Sequence, residues 1–321
     1  MGKFREIILK GYYRFITENM IKHTKALHLP FNHYSFMNSK IPKQELIKVI
    51  TPKRNFFSFP LQEVISYKDL LFLFVKRDFV AFYKQTILGP LWFFIQPILI
   101  TITFTIIFGR VAGISTDGVP DILFYLSGVT AWTYFATCWN ETTDIFRKNK
   151  EIFGKVYFPR VIMPLSVIIT NLFRLGIQFL LFLVVYFFYF FSGFDIQPNW
   201  IIALFPFLVF LMAMFSLSLG MLVSALTVKY RDLVFLMQFG IQLVMYATPV
   251  VYPLSIISPE RQWVLALNPM TAIIETFRYG FLGSGTFNPL HLLYSFICIS
   301  VFFVFGLLVF NKTEQSFLDI V

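Results

Sequence analysis

Charge is scarce in this sequence. Only 14% of its 321 residues are Asp, Glu, Lys or Arg, against about 25% in soluble globular domains, which excludes a soluble protein with a large core. Cysteine is scarcer still: Cys138 and Cys298 both lie in apolar runs, so neither a disulfide framework nor a metal cluster is supported. There is no Gly-rich loop followed by Lys and Ser or Thr, hence no phosphate cradle of that type for ATP. The few acids sit mainly in loops beside cations, without the convergent acid, base or metal arrangement that a membrane-bound glycosyl- or acyltransferase requires. His23, His28 and His33 have no acidic or cysteine partners and do not read as a metal site. No apolar run lies near the N-terminus, so insertion is expected through internal spans and not through a cleaved signal peptide. The expectation is a chain with no catalytic residue, no cofactor and no metal of its own.

Apolar and aromatic residues are abundant instead, at 57% and 20%, which places the chain among integral membrane proteins. The net charge of +10 raises nucleic acid as a partner, but its distribution argues for sidedness and anionic lipid headgroups: residues 1–87 hold 15 of the 27 Lys and Arg. Five more, Arg147, Lys148, Lys150, Lys155 and Arg160, fall in a polar island from Asn140 to Arg160 that also carries Glu141, Asp144 and Glu151. Apolar stretches long enough to span flank it, so the island is a short basic loop, expected on the cytoplasmic side.

Sides and spans follow from that assignment. Residues 1–60 form a cytoplasmic extension whose opening is either a basic amphipathic helix on the inner leaflet or a small helix packed on another cytoplasmic element. Residues 61–87 read as an interfacial amphipathic helix, because Lys68, Asp69, Lys76, Arg77, Asp78 and Lys84 prevent a crossing. Six transmembrane helices are expected at about 88–108, 121–139, 161–191, 200–223, 233–250 and 290–310, with a polar cytoplasmic tail at 311–321. Pro97 predicts a kink in the first, and Pro159 and Pro164 a broken beginning to the third. Small residues Ala213, Ser216, Ser218 and Gly220 permit close contact by the fourth. The stretch 251–289 is too broken by Pro and Gly to span and reads as short helices dipping into the outer leaflet, with Glu275 and Arg278 paired locally. Arg174 lies deep in the third span, so it either faces a protein interface or hydrated path, paired with a helix-end carbonyl, or snorkels.

Read in order, KRDF at Lys76–Phe79, YKQTILGPLW at Tyr83–Trp92, KVYFPRVIMPLS at Lys155–Ser166, KYRDL at Lys229–Leu233, TPVVYP at Thr248–Pro253 and LNPMTAIIETFR at Leu267–Arg278 form a pattern. It resembles the membrane subunit of type 2 ATP-binding-cassette exporters, in particular the permeases for bacterial surface polysaccharides such as O-antigen, capsule or teichoic acid. The resemblance covers 65–321 and leaves the N-terminal extension unexplained. It implies a multi-pass protein of the bacterial cytoplasmic (inner) membrane with both termini cytoplasmic. It also implies assembly as two copies of this chain with two nucleotide-binding ATPase subunits that hold ATP and Mg, and a lipid-linked polysaccharide as cargo.

Carried onto this chain, the resemblance makes 143–155 the coupling helix, with Phe146, Ile152 and Phe153 as anchors and Arg147, Lys148 and Lys155 as orienting charges. The aromatic residues Trp92, Tyr125, Trp132, Tyr134, Tyr246 and Tyr252 either line a glycan path or serve packing and interfacial belts. Arg77 and Lys84 suit the pyrophosphate of a lipid carrier, and equally suit lipid headgroups. Other readings are an exporter of teichoic acid, lipid or another small amphiphile, a membrane-embedded transferase, and a secondary transporter.

Overall fold

The computed structural model describes residues 61–84, 87–153, 158–230 and 232–320. The expectations for residues 1–60 and Lys155 lie outside them. All regular structure among the described residues is helical. The amphipathic stretch forms two helices, α1 (Leu61–Ser66) and α2 (Lys68–Lys84). α2 turns Phe74 and Val75 inward and leaves Phe72, Leu73 and Lys76 exposed.

The first apolar run begins with a tight turn at Gly89–Leu91, continues as α3 (Trp92–Phe104) through Pro97, and widens into a π-helical turn at Thr105–Val111. α4 (Asp121–Thr143) leads into the island, which holds two single-turn helices, α5 (Ile145–Lys148) and α6 (Lys150–Phe153). α7 (Ile162–Phe191) is 30 residues long. Its start is not broken at Pro164, as the sequence suggests. The proline sits in the first turn, where a missing N–H costs no intrahelical bond. A 3-10 turn at Trp200–Leu204 opens α8 (Phe205–Thr227), and α9 (Leu233–Tyr246) follows. The proline- and glycine-rich stretch folds into α10 (Pro259–Ala266) and α11 (Pro269–Leu282) before α12 (Pro289–Ile320). α11 starts where the Asn268 side chain accepts from the Met270 N–H at 3.0 Å, and stops at Gly283, whose φ of 73° is left-handed.

Four helical segments are long and apolar enough to cross a membrane: Gly89–Val111, Ile162–Phe191, Trp200–Thr227 and Pro289–Thr313. The chain is therefore an all-α, multi-pass membrane protein. Their exposed faces are apolar at helical spacing, as with Phe173, Leu180, Val184, Phe187 and Phe191 on α7, and Leu290, Leu293, Ile297, Val301 and Val304 on α12. α4 differs from them. It carries more polar residues and packs against α3, α7, α8, α9 and α11, so most of its surface meets protein. Close approach to α8 depends on Gly220, where a Cβ would lie 2.5 Å from Cβ of Thr142. At the end of the bundle away from the island, rings join α7, α8 and α11: Phe179 stacks on Phe205 at 4.3 Å, and Phe182 meets Phe277 at 5.3 Å.

Candidate functional site

The island is seated by aromatic rings. Phe146 stacks on Phe310 of α12 at 5.0 Å between centroids and meets Phe153 at 5.6 Å. Phe153 stacks on Phe158 at 5.8 Å, and Phe158 meets Phe74 of α2 at 5.6 Å. Five phenylalanines thus run from α12 through the island to α2. Each ring pair adds roughly 0.5–1.5 kcal/mol beyond the area it buries. Arg160 caps the run, its guanidinium carbon 5.4 Å from the centroid of the Phe153 ring. The Thr227 hydroxyl of α8 donates to the Thr143 carbonyl at 3.1 Å, holding the end of α4 from the other side.

The polar groups of the island divide between inside and outside. Asp144 is buried and accepts from Arg147 Nη2 at 2.7 Å, with Lys148 Nζ 3.8 Å away. That hydrogen bond raises the Arg147 pKa above its ordinary value. Arg147, Lys148, Lys150 and Glu151 are exposed, and Ile152 is half-buried. Of the anchors expected to face a partner, Phe146 and Phe153 are instead buried in this chain's own core. The outward surface between α5 and α6 is charged.

Beside the aromatic run lies an ionic cluster joining α2, α4 and α7. Arg174 Nη1 donates to Glu141 Oε1 at 2.8 Å and to Asn171 Oδ1 at 2.9 Å, while Asn171 Nδ2 donates to Glu141 Oε2 at 2.8 Å. The Arg174 guanidinium also faces the Phe93 ring at 5.5 Å. The deep arginine is therefore matched by a carboxylate on a neighbouring helix. On α2, Arg77 Nε donates to Asp78 Oδ1 at 2.8 Å and Nη2 reaches Asn149 Oδ1 at 3.5 Å, touching the joint between α5 and α6. Burial pushes the Asp78 carboxyl above its ordinary range; Arg77 and Arg174 pull it back and Glu141 pushes it further. Lys84 is exposed at the end of α2.

A second node lies at the opposite end of α4. Arg278 of α11 is 0% exposed. Its Nη1 donates to the Pro249 carbonyl at 2.5 Å, Nη2 to the Val250 carbonyl at 2.6 Å and Nε to Ser127 Oγ of α4 at 3.2 Å. The guanidinium lies 3.7 Å from the Phe124 ring centroid. Glu275 does pair with it, Oε1 to Nη1 at 3.7 Å, but as one contact among several. Gly128 makes room: a Cβ there would stand 2.6 Å from Arg278 Nη2 and 2.8 Å from the Val250 carbonyl oxygen. Nearby, Ser255 Oγ donates to Asp117 Oδ1 at 2.7 Å, tying the loop before α4 to the broken stretch.

The six aromatic path candidates separate. Tyr125, Trp132 and Tyr134 are buried inside the bundle around α4, where Tyr125 meets Phe104 and Trp132 meets Phe135. Trp92 and Tyr246 are exposed, and Tyr252 is half-buried with its hydroxyl donating to the Tyr246 carbonyl at 3.3 Å. Among the described residues no group of His, Cys, Asp or Glu is arranged to hold a metal ion. The arrangement is mechanical: two ends of one central helix are fastened by charge and ring contacts to elements far away in the chain. Glu141 as the Arg174 partner and Arg278 as an interhelical node escape a reading by spacing. A cation within the apolar pattern TAIIETFRYGF is the same signal that singled out Arg174, and it could have found Arg278.

A family model described as ABC-2 type transporter matches residues 69–282. The chain is 31% identical over 220 residues to an O-antigen export system permease protein RfbA of Myxococcus xanthus, covering 68% of this chain and 82% of that protein. It is 28% identical over 254 residues to an O-antigen export system permease protein RfbA of Klebsiella pneumoniae, covering 78% of this chain and 95% of that protein.

Proposed function

We propose, from the premise that this chain belongs to the ABC-2 type transporter family, that it is the permease subunit of an ATP-driven exporter of a lipid-linked surface polysaccharide of the O-antigen class. The observation that carries the reading is the match over 95% of the length of a permease named for O-antigen export. In this family the permease supplies the membrane path and a separate nucleotide-binding subunit hydrolyses ATP. Two copies of the chain would face each other above two such ATPases in the bacterial inner membrane.

In this reading α4 and α9 complete six crossings with the four longer segments, and the cation clusters support a cytoplasmic side for the island and both termini. The extension 1–60, basic and aromatic, would contact the membrane or the partner there. The island serves as the coupling element through its outward charges Arg147, Lys148, Lys150 and Glu151, with Ile152 at the margin. Phe146 and Phe153 are its roots in the permease. A push on the island would then pass through stacked rings to α12 and α2, and through Glu141 and Arg174 to α7. α10 and α11 act as the outer re-entrant pair that closes the exit.

For the cargo, exposed Trp92 and Tyr246 and half-buried Tyr252 offer faces on which a glycan can slide without one hydrogen-bonding register, while Tyr125, Trp132 and Tyr134 support the wall from within. Lys84, exposed at the end of α2, presents its charge to a carrier pyrophosphate; Arg77, engaged with Asp78 and Asn149, would meet it only by exchanging partners.

Purification of the tagged chain from its own host should bring down an ATPase subunit, and native mass measurement should give a permease pair. Vesicles holding that complex should move a lipid-linked polysaccharide only with ATP. A monomer that carries no ATPase and supports no ATP-dependent movement would reject the proposal.

A further inference from the structure

We propose that the small cavity between α10, α11 and the start of α12 is a binding site for one water molecule, held by Glu275 and Thr271. These two residues are four apart on α11 and so share a face, and both line the cavity with Thr286, Asn288 and His291. Glu275 is 2% and Thr271 3% exposed. Glu275 Oε2 accepts from the Thr286 N–H at 3.1 Å. Its other oxygen, Oε1, and the Thr271 hydroxyl have no hydrogen-bond partner among the described residues. Two buried polar atoms without a hydrogen bond beside one cavity are uncommon, because each carries a desolvation cost unless something meets it.

The complementarity selects water. A water molecule can donate to Glu275 Oε1 and accept from the Thr271 hydroxyl, and the cavity admits one water-sized sphere, the least a buried water needs. A metal cation fits less well, since Arg278 Nη1 already stands 3.7 Å from the same carboxylate oxygen and balances its charge. The bound water completes the shell around Glu275 and so belongs to the node that fixes α11 against α4.

The sign of one substitution tests this. If water bridges the pair, Thr271→Val removes a used hydroxyl and strands Oε1, and the full chain in lipid nanodiscs should melt about 2–4 °C lower, the shift one lost hydrogen bond gives. Thr271→Ser keeps the hydroxyl and should melt with the wild type. A density map that resolves buried waters should show a peak within hydrogen-bonding distance of both oxygens, unchanged when rubidium replaces sodium. A Thr271→Val melting point equal to or above the wild type would overturn the proposal, because deleting an unused buried hydroxyl relieves a penalty. Equal losses in both variants would mark packing alone and overturn it too, as would a peak that strengthens in rubidium.

Discussion

Arg174 of α7 and Glu141 of α4, 33 positions apart in sequence, meet at 2.8 Å with Asn171 bonded to both. The pair is only partly shielded, with side chains 15% and 30% exposed. Losing either partner should cost about 1.5–3 kcal/mol, the range for hydrogen bonds to charged groups. The measurement is a double-mutant cycle of Glu141→Ala and Arg174→Ala by thermal unfolding. Less than about 0.5 kcal/mol of coupling would mean the two act independently. Export assays on the exchange Glu141→Arg with Arg174→Glu should show partial recovery over either single reversal.

Arg278 is less forgiving. Arg278→Gln shortens the side chain and removes the fork that reaches two carbonyls, leaving Glu275 buried without its cation, a change expected to cost about 3–5 kcal/mol. Gly128→Ala attacks the same contact from α4 and should also destabilise strongly. Because both act on one joint, the double variant should be clearly less damaged than the sum of the singles. Full additivity in melting measurements would show two separate defects.

The island separates seating from docking. Phe146→Ala empties a buried site between α12 and α6 and should destabilise by about 3–5 kcal/mol. Phe153→Asp should likewise be lost to misfolding, because the ring lies against Phe158 and Phe146. Lys148→Ala with Lys150→Ala leaves Arg147 on the buried Asp144 carboxylate, so yield and melting point should be nearly unchanged while ATPase capture weakens, more so at low salt than at high salt. Unchanged capture at both salt concentrations would remove these two charges from the docking surface.

Asp78 gives a pH signature of definite sign. Burial raises its folded pKa above the ordinary 3.8, so between the two values the folded state holds a proton that the unfolded state releases. Its contribution therefore favours folding more as pH falls through that window and is withdrawn as pH rises past the raised value. Asp78→Asn should flatten this part of the stability profile and be no less stable at pH 7 than the wild type. A variant with the parental slope would assign the dependence to another group.

The helices were largely legible because apolar length and Pro or Gly punctuation are local signals. A 3-10 turn begins at Trp200 after Pro198, and α7 ends at Phe191 just before Gly193. What spacing could not show is direction. Phe146 and Phe153 stand on a basic loop that reads as a docking element, yet the ring they meet at one end, Phe310, lies more than 150 residues later. Arg278 reads as the local partner of Glu275, three residues away, because side-chain pairs on one helix are visible in sequence. Its shorter contacts go to the main-chain carbonyls of Pro249 and Val250, and every residue type has a carbonyl, so nothing in the sequence marks them.

The enclosure of α4 has a consequence for how the protein is made. A nascent helix containing Asp121, Ser127, Gly128, Thr130, Asn140 and Glu141 is a poor solute for hydrocarbon. Yet α7 and α8, which cover much of it, are translated afterwards. As one of the six crossings proposed above, α4 must therefore wait beside the insertion machinery or α3 until its later neighbours arrive. Biogenesis of this chain then hinges on a helix that the bilayer accepts only in company, and slowed synthesis between residues 143 and 205 should lengthen the interval in which it is exposed to membrane proteases.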